Sequence, residues 1–145
     1  MREYLFRGKK IYTSEWVYGY YVKSEMFNKR GYEHFIIEES ADGCDYLVDP
    51  ESVGEWTGLY DKNSRKIFEG DIISIMFETD GVDGFPGYSW YESAEVVYSE
   101  EKRAWIVVFN DGGEEMYLSE YDDVDDICVI GNIFENANLL ESDGN

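Results

Sequence analysis

The densest set of chemistry-bearing residues is Asp122-Asp123-Val124-Asp125-Asp126, four carboxylates in five positions. Such a run can hold a divalent cation weakly, at millimolar strength. It can equally be a loop whose like charges repel and stay wet, which is the simpler account. Asp122, Asp123, Asp125 and Asp126 are kept as a candidate acidic binding face. His34 is the single histidine, so no second imidazole can share a metal with it, and a surface or partly buried strand position is expected. Cys44 and Cys128 lack a Cys-x-x-Cys partner and read as buried small hydrophobes. Asp61-x-Asn63-x-Arg65 begins like a calcium loop, but the glycine at loop position six and the glutamate at twelve are missing. A hairpin turn fits that stretch better. No Gly-x-Ser-x-Gly nucleophile turn occurs, and Gly81-Val82-Asp83-Gly84 lacks the lysine and helix of a phosphate loop. The expectation is a non-enzymatic chain with no catalytic, cofactor or metal site.

The elements that would carry these residues are mostly strands. One domain is the prior for 145 residues, and aromatics make up 17% of them, with 13 Tyr, 8 Phe and 4 Trp, which favours sheet over helix. Arg2 to Arg7, Glu15 to Val22, Tyr32 to Glu38 and Cys44 to Val48 read as a meander of short strands, with Gly19 as a bulge and a turn at Asn28-Lys29-Arg30-Gly31. Trp56 to Tyr60, Lys66 to Phe68 and Ile72 to Phe77 follow. Asp80 to Gly87, with three Gly, one Pro and two Asp, reads as an exposed loop. Glu92 to Tyr98 and Arg103 to Phe109 are strands. Asn110-Asp111-Gly112-Gly113 is a hairpin turn into Glu114 to Leu118. Ile127 to Ile133 forms the last strand, Asn136 caps a short C-terminal helix, and Glu141 to Asn145 is a disordered tail. The core is assigned to Ile72, Ile75, Phe77, Val96, Trp105, Val107, Phe109, Val129 and Ile133.

Charge divides the chain unevenly. Residues 1–50 hold 9 acidic and 7 basic side chains, whereas 51–145 hold 23 and 5. No Lys or Arg follows Arg103, while 11 carboxylates do. Direct nucleic-acid binding is therefore disfavoured, because every phosphate contact needs a cation. No stretch is long and apolar enough to span a bilayer and the N-terminus has no signal region, so a cytoplasmic location without membrane contact is expected.

Residues 48–73 carry the most specific pattern. Asp49 and Pro50 suit the start of one helical turn and Gly54 its end, Gly58 interrupts a strand, and Glu69-Gly70-Asp71 is a tight turn. This Pro-Glu-x-Val-Gly…Thr-Gly-Leu…Asp-Lys-Asn…Glu-Gly-Asp series is preceded by Arg2-Glu3-Tyr4-Leu5-Phe6-Arg7. It is followed by Val129-Ile130-Gly131-Asn132-Ile133-Phe134-Glu135-Asn136 and the pair Leu139 and Leu140. The three anchors, in that order, resemble the YopX family of phage and prophage proteins. One departure is Ser64, where relatives usually carry glycine, so Asn63 is expected to take the left-handed conformation or the turn to be longer. The resemblance implies an SH3-like barrel, a bacterial host, and neither an activity nor catalytic residues.

The expected architecture is mainly β, with an N-terminal strand subdomain over 1–50 and an acidic SH3-like barrel over 51–145, closed by the short C-terminal helix. The first functional reading is a protein-binding or scaffold module for a phage or host partner. The alternative is an acidic DNA mimic that occupies the basic groove of a DNA-binding protein. Carboxylates from 78 to 101 and 111 to 126 are expected to gather on one broad negative surface. Exposed strand edges also leave homo-oligomerisation open.

Overall fold

The computed structural model describes residues 4–25, 32–39, 43–109, 115–120 and 126–141. These residues form strands β1 (Phe6–Lys9), β2 (Trp16–Glu25), β3 (Tyr32–Glu38), β4 (Asp45–Leu47), β5 (Gly54–Tyr60), β6 (Lys66–Phe68), β7 (Asp71–Glu78), β8 (Ser89–Ser99), β9 (Ala104–Phe109), β10 (Glu115–Tyr117) and β11 (Ile127–Asn132). Short 3-10 turns supplement them, and there is no α-helix among the described residues. The strands make two antiparallel sheets, of order β4-β3-β2-β1-β5-β6 and β10-β9-β8-β7-β11. The expected mainly β class is observed. A closed barrel is not present among the described residues, and the five-stranded sheet runs from β10 at one edge to β11 at the other. The chain divides into two compact units, Met1–Gly58 and Leu59–Asn145.

In the first unit, β2 alternates as a pleated strand must: Val17 and Gly19 are buried while Tyr18 and Tyr20 face solvent. Val17, Ile36 and Val48 form its core, edged by Phe6, Tyr21, Tyr46 and Val53. Gly19 is not a bulge, because the register runs unbroken through Gly19↔Glu38 and Tyr20↔Ile37. A Cβ at Gly19 would lie 2.0 Å from the Ile37 carbonyl oxygen, so the glycine permits close approach of the neighbouring backbone.

The expected turn at Pro50 forms as a 3-10 turn, Pro50–Ser52, with the Asp49 carboxylate accepting from the Glu51 N–H at 3.0 Å. It ends at Val53, and Gly54 opens β5 instead of terminating a helix. Ser52 is buried because its hydroxyl donates to the Asp49 carbonyl at 2.6 Å and accepts from the Lys9 N–H at 2.8 Å.

The core of the second unit contains Ile67, Ile73, Ile75, Ala94, Val96, Val107, Phe109, Leu118, Ile127 and Val129. Five of the nine expected core residues belong to it: Ile75, Val96, Val107, Phe109 and Val129. Phe77 and Trp105 are half-buried at its margin, with Trp105 edge-on to Tyr98 at 5.1 Å. Ile133 is half-buried outside it. Ile72 is fully buried, but it lies on the other face of β7 from Ile73 and Ile75, since residues three apart on a strand point to opposite sides. In β11 the register shifts between Val129 and Gly131, leaving Ile130 exposed.

Three local expectations are corrected. The C-terminal helix is a 3-10 turn, Ala137–Leu140, and Asn136 does not cap it; its side-chain oxygen accepts from the Asn132 N–H at 3.2 Å. Cys44 is exposed and Cys128 half-buried, both as free thiols. In the 61–65 turn the left-handed residue is Ser64 itself, at φ 62°, and not Asn63. A non-glycine residue pays about 1–2 kcal/mol for that conformation. Ser64→Gly is therefore expected to raise stability by about 0.5–1 kcal/mol, after glycine's own entropy cost is subtracted. A higher urea midpoint at unchanged slope checks this, and a lower midpoint would mean the serine side chain holds the turn. The turns expected at 28–31 and 110–113 and the tail at 142–145 lie outside the described residues.

Candidate functional site

The acidic run is only partly placed. Asp122, Asp123 and Asp125 lie outside the described residues, and Asp126 is half-buried immediately before β11. Of the carboxylates expected to gather on one surface, Glu78, Asp80, Asp83, Glu92, Glu100, Glu101, Glu115 and Glu120 are each exposed. Glu95 on β8 is half-buried, as Asp126 is. Half-burial pushes its carboxyl pKa up. Its ionised form therefore opposes folding above the raised pKa, and that cost is relieved as pH falls through it.

The motif residues turn out to hold backbone. Asp61 is buried, and its Oδ1 accepts from the N–H groups of Asn63 and Arg65 at 2.8 and 2.9 Å. Its Oδ2 accepts from the Val129 N–H on β11 at 2.9 Å. Both oxygens are thus committed to a hairpin and to a distant strand, in agreement with a turn over a calcium loop. Asp71 is buried as well, and accepts from the Phe68 N–H at 2.8 Å. Gly70 donates to the Val96 carbonyl and accepts from the Ile133 N–H, both at 2.9 Å. His34 is half-buried on β3, with its Nδ1 2.6 Å from the Tyr21 hydroxyl.

One exposed apolar surface lies on the hairpin between β7 and β8. Asp80 to Gly87 is exposed as expected, yet it is a built hairpin. Val82 and Phe85 exchange both backbone hydrogen bonds, at 3.0 and 2.8 Å, and below them the Thr79 N–H donates to the Tyr88 carbonyl at 2.8 Å. The tip residues Asp83 and Gly84 have φ of 33° and 85°, the positive values a tight two-residue hairpin turn requires.

This scaffold displays Val82, Phe85, Tyr88 and Tyr91, each 65–76% exposed. An aromatic row leads up to it from the core: Phe109 to Phe77 at 6.0 Å, Phe77 to Trp90 at 5.6 Å, and Trp90 to Tyr88 at 5.6 Å. The row exists because Trp90 lies opposite Phe77 in the ladder, and Tyr88 is two residues on, on the same face. The Trp90 indole N–H donates to Glu92 at 3.4 Å, which places a carboxylate beside the rings. None of these aromatics stands out as a site residue in the sequence. The legible signal was the Asp83-Gly84 pair flanked by Val82 and Phe85, a hairpin signature inside what reads as a loop.

The model of the YopX protein family matches residues 5–141. The chain belongs to the YopX family. The match runs through both units, including the Asp61 turn and the Gly70-Asp71 corner. Protein EF1440 from Enterococcus faecalis, known from its crystal structure, is similar at 23% identity over 97% of this chain and 100% of its own, with a TM-score of 0.48. No curated protein matches the chain. Among the described residues of this YopX member, no helix is long and apolar enough to cross a membrane.

Proposed function

We propose that this YopX-family chain is a non-catalytic protein-binding module of a phage or prophage, acting in the cytoplasm of the bacterial host. The observation that carries the reading is the β7–β8 hairpin, with Val82, Phe85 and Tyr88 in solvent and an aromatic row running from Tyr88 to the core. A patch of this kind on an otherwise strongly charged chain is what a partner would cover. The second unit supports an SH3-like assignment as well. Four strands run as a meander, a 3-10 turn at Leu118–Glu120 follows, and the last strand returns beside the first.

Affinity capture from infected host cells, with wild type, Phe85→Ala/Tyr88→Ala and Tyr12→Ala side by side, tests the reading. Tyr12 is 87% exposed in the first unit and serves as the control. At least one partner is expected to be retained by wild type and the control and lost by the hairpin variant. The same proteins recovered with all three would overturn it. The DNA-mimic alternative makes a different demand: its partners would be basic, and they would survive loss of the two rings.

A further inference from the structure

The β7–β8 hairpin pairs its aromatic surface with one sign of charge. Glu78, Asp80, Asp83 and Glu92 are exposed on it, and no Lys, Arg or His occurs between Ile67 and Glu101. By strand alternation Glu78, opposite Ser89, lies on the other face from Tyr88, whereas Glu92 shares the face of Tyr88 and Trp90 and accepts the Trp90 N–H. Resting on the protein-binding reading above, we infer that this hairpin docks a partner segment in which arginine stands beside apolar residues.

Three physical features select that occupant. Tyr88, 68% exposed and backed on its inner side by Trp90, offers an aromatic surface to which a guanidinium can dock within about 6 Å. Glu92, on the same face as the rings, can take guanidinium hydrogens in a forked pair, and the hairpin's other carboxylates repel an acidic competitor. Val82 and Phe85 at the tip supply apolar contact that a purely polar cation would leave unused. Arginine suits this surface better than lysine, because its plane can stack on a ring while its edge bonds carboxylates. Elsewhere the chain already places its own cations on rings: Arg7 lies over Trp16 at 4.6 Å and Lys10 over Tyr46 at 3.9 Å. The chemistry therefore operates in this protein's own setting.

The test is a titration of the full chain, followed by amide and indole NMR signals, with three short peptides. One alternates Arg and Leu, one has citrulline in place of Arg, and one has Glu. The Arg peptide is expected to move the Trp90 indole signal and the amides of 79–91. Its binding should weaken about tenfold or more with citrulline, and likewise in Tyr88→Ala and in Asp80→Asn/Asp83→Asn/Glu92→Gln. Rising salt should weaken it as well, on the scale of a Debye length of about 8 Å. Spectra of the variants unchanged outside the hairpin show that they fold.

If the citrulline peptide binds the same residues equally well, the cation inference falls and the protein-binding reading stands. If the Arg peptide moves signals at Glu115, Glu120 and Asp126 instead, and Tyr88→Ala binds it as wild type does, the inference falls as mere polyelectrolyte attraction. Signals at 79–91 that no peptide moves, together with partner capture indifferent to Phe85→Ala/Tyr88→Ala, would remove both.

Discussion

Gly19→Ala is expected to destabilise the first unit by about 3 kcal/mol or more, enough to remove its cooperative transition. An added Cβ would sit 2.0 Å from the Ile37 oxygen and 2.8 Å from its carbon, both backbone atoms of the neighbouring strand. A flexible side chain could swing away from such a contact, but a ladder carbonyl cannot without breaking the pairing on either side. The seven-residue register between β2 and β3, Gly19↔Glu38 to Glu25↔Tyr32, starts at this point, so the strain falls on its first pair. Val17 and Ile36 in the core of that unit stand next in line to lose their packing. Urea unfolding followed by far-ultraviolet circular dichroism measures the effect. A variant with an unchanged midpoint would mean that β2 and β3 stand farther apart in solution.

Asp61→Ala is expected to cost the second unit about 3 kcal/mol. Three backbone N–H groups lose their acceptor, and the one at Val129 is buried, where an unsatisfied donor costs about 1–3 kcal/mol. The bonds from Asn63 and Arg65 are charge-assisted and add to the loss. Asp61→Asn keeps one acceptor oxygen and should fall between wild type and alanine. The measurement is again the urea midpoint at constant slope. An alanine variant within about 0.5 kcal/mol of wild type would sink the assignment, because that is the range of ordinary surface changes. Both variants probe residues of the family pattern or its neighbourhood through stability alone, which separates them from the ring and carboxylate substitutions of the hairpin.

The strands were largely legible because their signals are local. Alternation of side chains and turn-forming residues located Tyr32–Glu38 and Lys66–Phe68 to the residue, and most other strands within a few positions. Asp49-Pro50 marked its 3-10 turn for the same reason: a cap and a fixed φ act on the next three residues. Local rules failed where a residue's job depends on what lies across from it. Gly19 looks like any strand glycine until the Ile37 carbonyl is found beside its Cα. Ile72 and Ile73 are equally apolar, and only the packing of β7 distinguishes which one enters the core cluster. Trp105 has the composition of a central core residue, yet it ends at the margin against Tyr98.

The candidate site divides in the same way. From the order and types of residues along the chain follow the net charge of −20, the gathering of carboxylates from residue 51 onward, the family pattern and the mainly β class. Each is a property of residue types or of neighbours along the chain. The fold in space settled that Asp61 bonds a strand 68 residues further on, that β11 returns to β7, and that Phe77 lies opposite Trp90. These are pairings across strands, set by register and by which faces are buried together. Aromatic residues are interchangeable as sheet formers, so their types say only that they belong in strands. Whether Tyr88 is a core residue or a docking surface depends on where the core stops, and no local signal records that boundary.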